Sequence, residues 1–166
     1  MNSKQKDILK QLAQIGEVVY VKKDGSRVLL NEEGKVPLKT NADAVMYFLQ
    51  RLDVDMLKLV LEEATYQDFD KRTFLRKLSY ALESFLEKGD TYLNVYPGTC
   101  VSTACDNASC LGYSFIGNKT ANYMDLIFDV KADKVKDIYE CFHFMNSDDG
   151  VVKKEQVLID DDPLFG

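Results

Sequence analysis

Between Gly112 and Phe144 the chain reads GYSFIGNKTANYMDLIFDVKADKVKDIYECFHF, and its middle section alternates with period two. Met124, Leu126, Phe128 and Val130 fall on one face. Tyr123, Asp125 and Asp129 fall on the other, with Ile127 the one apolar residue among them. A strand with one covered face and one wet face produces this split. Three consecutive antiparallel strands are therefore expected. The short polar turn Lys131-Ala132-Asp133-Lys134 specifies the register of the last pair. The upstream chain must supply whatever covers the apolar face.

Three helices suit that task. Asn41 is a good cap for a helix presenting Val45, Met46, Leu49 and Leu52. Asp53 or Asp55 restarts a helix with Met56, Leu57, Val60, Leu61 and Ala64 inward. A third begins at Asp68 or Asp70, and Phe74, Leu75, Leu78, Ala81, Leu82, Phe85 and Leu86 keep three-four spacing up to Gly89. A strand from Thr91 to Tyr96 follows, then a turn at Pro97-Gly98. Helices succeeded by antiparallel strands define an α+β fold, with the helices packed on the sheet.

Residues 1–40 read as an addition: a helix capped by Ser3 and ended by Gly16, then a hairpin of Val18–Val21 and Val28–Leu30 around Asp24-Gly25. Residues 41–145 form the main domain, and residues 146–166 an acidic tail with a short strand expected at Val157–Ile159. Apolar residues at 46% and charged residues at 29% exclude wholesale disorder. The net charge is -6; the tail alone carries six acidic residues against Lys153 and Lys154, which leaves the rest near balance. No basic stripe suggests a nucleic acid or an anionic membrane as partner. No apolar run is long enough to span a bilayer, and the amphipathic start is not a signal peptide, so a cytoplasmic setting is expected.

The segments AVMYFLQRLDVDMLKLVLEE, KRTFLRKLSYALESF and YMDLIFDVKADKVKDIYECFHF together resemble the nuclear transport factor 2-like superfamily, which includes ketosteroid isomerases and polyketide-cyclase-like proteins. The similarity covers residues 41–145 and is one of pattern. It implies a curved antiparallel sheet wrapped over helices into a cone, as in a cystatin-like roll, with an apolar pocket and usually a homodimer. It implies no activity, because the superfamily hosts enzymes and non-enzymes, and no family catalytic residue transfers onto this chain.

Several groups are candidates for chemistry. Cys100, Cys105 and Cys110 are spaced C-x4-C-x4-C, and Cys141 and His143 follow on the last strand. Four such ligands suit a structural zinc site; the alternatives are core or loop thiols, or redox use. Asp137, Tyr139 and His143 share a strand face and would make an acid, donor and base constellation if that face lines a pocket. If the other face is inward, Asp137 and His143 are solvated. Tyr92 and Tyr96 alternate with apolar neighbours, and with Met124 and Phe128 they are the expected pocket lining. The expected function is a non-catalytic module that binds a small apolar ligand or a protein partner. The alternatives are a pocket enzyme performing isomerase- or dehydratase-type proton transfer, and a zinc-stabilised interaction scaffold.

Overall fold

The computed structural model describes residues 40–101, 110–147 and 150–159, the side chain of Cys110 excepted, and the backbone of Val19–Val21 and Arg27–Leu29. The helix expected at residues 3–16, the connector after the hairpin, Cys105 and the Asp160-Asp161-Asp162 run lie outside the described residues. β1 (Val19–Val21) and β2 (Arg27–Leu29) pair antiparallel, with Tyr20 opposite Val28, and β1 lies beside the first strand of the main sheet.

Helix α1 spans Asn41–Gln50, and its cap is Thr40 rather than Asn41. Thr40 and Asp43 form a reciprocal capping box, each side chain accepting from the other's backbone N–H. Asn41 is left to work elsewhere, and it is almost wholly buried. The helix ends in a Schellman motif: Leu52 at φ 59° donates to Leu49, and Asp53 N donates to the Phe48 carbonyl. Asp53 then caps α2 (Val54–Val60), accepting from Met56 N. Ala64, expected to face inward, is exposed. The chain turns extended at Leu61 and enters a tight hairpin of β3 (Thr65–Tyr66) and β4 (Phe69–Asp70), which buries Tyr66 instead.

Asp70 caps α3 (Lys71–Glu87). Phe74, Leu75, Leu78, Ala81, Leu82 and Phe85 are buried as their spacing predicts, each contributing about 1–3 kcal/mol of apolar burial. Leu86 is half exposed, and Lys77 is buried in its stead, with Nζ 4.8 Å from the Phe69 ring centroid. Gly89 takes φ +103° and ends α3 in the same way as Leu52 ends α1.

The main sheet runs β8-β7-β6-β5-β9, all antiparallel, from β5 (Leu93–Cys100), β6 (Cys110–Gly117), β7 (Tyr123–Lys131), β8 (Lys134–Glu140) and β9 (Phe144–Asn146). Pro97-Gly98 is not a turn: β5 continues through both. The Pro97 carbonyl accepts from Ser147, so the missing N–H lies on the β9 side and no bond to β6 is lost. Met124, Leu126 and Phe128 are buried in one core with the helices, together with Leu93, Val95, Phe115, Val135 and Ile138. Val135 and Ile138 are three apart yet both inward, because the ladder shifts register between Asp129 and Val130 and Lys136 is the extra residue.

The other face of the sheet is not wet. Ile116, Ile127 and Cys141 are buried there, away from the main core. After β8 the chain crosses at Cys141, Phe142 and His143 to pair β9 with the far edge at β5. Residues 150–159 then lie alongside β7, with Gln156 bridged in parallel to Tyr123, and Ile159 enters the main core.

Candidate functional site

Helix α1 is pinned over the β7–β8 turn by Ala42 N, which donates to the Asp133 carbonyl at 3.1 Å. Asn41 reinforces this by accepting from Val135 N at 2.9 Å and donating to the Val60 carbonyl at 2.6 Å. The first turn of α1 is thereby held above the ends of β6, β7 and β8. Beneath it remains a cavity of about 210 Å³, lined by Ala42, Asp43, Met46, Leu111, Tyr113, Phe128, Val130 and Val135. One wall is aromatic: Tyr113 and Phe128 have centroids 6.1 Å apart, and Phe128 meets Phe115 edge-on at 5.9 Å. Tyr113 and Asp43 are the two residues with polar side-chain atoms among those that line the cavity.

A larger hollow of about 410 Å³ lies between α3 and residues 155–158, but Glu83, Glu87, Lys88 and Glu155 make it polar. Small-molecule sites are mostly apolar with few convergent polar groups, and the cavity under α1 has that character.

Of the expected pocket residues, Phe128 lines this cavity, Met124 is in the core, Tyr92 is 44% exposed, and Tyr96 lies opposite Ser114 on the second face. Asp137 and Tyr139 pair with Asp129 and Ile127, which places them on the second face too. His143 is exposed beyond the end of β8. The structure thus brings Asp137 and Tyr139 to one face but does not bring them to the cavity. Burial raises the Asp137 carboxyl above its ordinary range, and the charges of Asp68 and Asp129 push the same way against N–H donation from Gln67 and Ile138. Cys100 is half-buried on β5 and Cys141 is buried on the second face. No group of three or more His, Cys, Asp or Glu among the described residues is placed to hold a metal ion.

No protein-family model, curated protein or solved structure matches the chain.

A second constellation lies on the covered second face, and sequence reasoning missed it. Asp125 accepts from Ser114 Oγ and from Lys153 Nζ, which reaches Oδ1 at 2.9 Å and Oδ2 at 3.0 Å. Asn146 Nδ2 donates to Ser114 Oγ at 2.9 Å, and Asn146 Oδ1 accepts from Lys153 at 2.9 Å. The Lys153 ammonium also lies 4.5 Å from the Tyr123 ring centroid and 5.3 Å from that of Phe144. Burial, with the Asp125 charge beside it, holds the Tyr123 phenol above its ordinary range. The available signal was the Lys153-Lys154 pair embedded in an acidic tail, which does not say which lysine turns inward.

Proposed function

We propose that this chain is a binding module for a small apolar molecule, held in the cavity between α1 and the ends of β6–β8. The observation that carries the reading is the cavity: about 210 Å³, with walls from Met46, Leu111, Phe128, Val130 and Val135. An apolar cavity of roughly 150 Å³ accepts benzene. The larger volume suits a bicyclic aromatic or a short acyl chain, with Tyr113 or Asp43 orienting one polar atom. Asp137, Tyr139 and His143 lie away from these walls, which favours binding over proton transfer there.

A curled, cone-like sheet and kinship with the nuclear transport factor 2-like superfamily belong to the same reading. Supporting the curl, Glu140 to Phe144 spans at most about 14 Å of extended chain. Flat strands would separate β8 from β9 by about 19 Å. Supporting the kinship, the order is two helices, a third helix, then long antiparallel strands.

The test is a fragment titration with indole and naphthalene, followed by NMR shifts and thermal denaturation. Saturable shifts at Met46, Val130 and Val135 methyls are expected in the native protein, and Ala42→Phe, which fills the space, should abolish them. Shifts that never saturate, or that persist in Ala42→Phe, sink the reading.

A further inference from the structure

The group formed by Asp125, Asn146, Ser114, Tyr123 and Phe144 has the composition of an ammonium receptor. A buried carboxylate supplies charge, an amide oxygen supplies a second acceptor, and two ring faces supply the attraction of their quadrupoles. Ser114 and Asp125 are almost wholly inaccessible, and Ser114 and Asn146 hold each other and the carboxylate in place independently of the lysine. The receptor is therefore assembled from β6, β7 and β9, while its occupant arrives from a separate piece of chain.

We propose that the second face of the sheet carries a preformed site for a primary ammonium group, and that Lys153 occupies it as an intramolecular ligand. The segment bearing Lys153 is held around this point by Lys154 N to the Ala121 carbonyl, Tyr123 N to the Glu155 carbonyl and Val157 N to the Tyr123 carbonyl. Between Gly150 and Lys153 its apolar burial is limited to a half-buried Val151, for Val152 is 69% exposed. Lys153 is thus the charged clasp of residues 150–153, while Val157 and Ile159 anchor the following residues in the main core. Withdrawing it leaves Asp125 without a countercharge and loosens the segment where it pairs with β7 at Tyr123. The class of group that replaces it is an unbranched primary amine, such as a lysine side chain of another chain, because Asp125, Asn146 and the two rings surround a single ammonium on an unbranched stem.

Lys153→Ala deletes three methylenes and the ammonium, the content of n-propylammonium. The experiment is urea denaturation of Lys153→Ala with propylammonium chloride, against sodium chloride and tetramethylammonium chloride at equal ionic strength. A midpoint that rises and saturates only with propylammonium, and that does so in neither the native protein nor Asp125→Asn/Lys153→Ala, is expected. No rise, or an equal rise in all three proteins, overturns the proposal. If Lys153→Ala folds poorly, Lys153→Met keeps the apolar stem and is read by hydrogen exchange. The Tyr123, Lys154 and Val157 amides should then exchange at least about tenfold faster while α3 amides are unchanged. Unchanged rates at these three amides overturn it equally.

Discussion

Asn41 and Val135 are separated by 94 positions and joined by one hydrogen bond: the Val135 N–H donates to Asn41 Oδ1 at 2.9 Å. The same side chain donates to the Val60 carbonyl at 2.6 Å, so one amide fastens α1 to the end of α2 and to the start of β8. Those contacts set the height of α1 above the sheet, and with it the cavity.

Asn41→Ala should therefore be far costlier than loss of the helix cap. It strands a buried donor and a buried acceptor, at about 1–3 kcal/mol each. Thr40→Ala removes only the cap, at about 1 kcal/mol. Urea denaturation of the two variants should rank them in that order. Equal losses would mean that water or a neighbour replaces the Asn41 contacts.

Gly98 and Gly112 face each other across β5 and β6, and the Phe144 ring lies against both. A methyl at Gly112 would come within 2.7 Å of both Phe144 Cε2 and the Gly98 carbonyl oxygen. Gly112→Ala should cost about 1–3 kcal/mol by overpacking. Phe144→Leu in the same chain should recover part of it, since the two share one space. A double-mutant cycle in thermal denaturation measures this coupling, and strict additivity would refute the shared contact.

The β7–β8 turn places Ala132 at φ 52° and Asp133 at φ 63°, a left-handed pair without glycine. Ala132 is exposed, so its replacement disturbs no packing. Ala132→Gly should raise stability by about 0.5–1 kcal/mol, relief of the Cβ clash exceeding the added unfolded-state entropy. Calorimetry should show a higher Tm; a lower one would mean the turn carries no strain.

Two carboxyls should act on stability in opposite directions with pH. Asp137 is raised above its ordinary 3.8 by burial, so the fold holds its proton more tightly and stability falls as pH rises from there through the raised value. Asp137→Asn should gain on the native protein across that window and lose the advantage below it. Glu62 is lowered from 4.5, chiefly by its hydrogen bond from Lys136 at 2.9 Å, with Lys134 at 3.4 Å assisting. Its contribution is present above 4.5 and is lost as pH falls through the lowered value. Glu62→Gln should thus weaken the protein only near neutrality, modestly and less at high salt. Denaturation midpoints across pH 3–7 would check both signs.

The element types were legible because their signals are local. Met124, Leu126 and Phe128 alternate, Phe74 to Phe85 recur at three and four, and Gly89 stands where a helix must stop. The cavity was legible only in part: Phe128 belonged to it, but Leu111 and Tyr113 are placed by the pairing of β6 with β7, and Ala42 by the landing of α1 on the β7–β8 turn. Pro97-Gly98 looked like a turn because the reason for Gly98, a phenylalanine ring 46 positions later, leaves no local trace.

By itself the sequence determined the three helices, the main run of antiparallel strands and that one sheet face is apolar, since backbone preference and side-chain period act over a few neighbours, but not the β3–β4 hairpin or the break between β8 and β9. Tertiary structure alone decided what became of the opposite face. Asp125 and Ile127 read as solvent-facing, yet β9 and residues 150–159 cover them, and Lys153 supplies the charge that makes burying Asp125 tolerable. Pairing between residues 28 positions apart obeys no period, because it depends on where the chain returns in space.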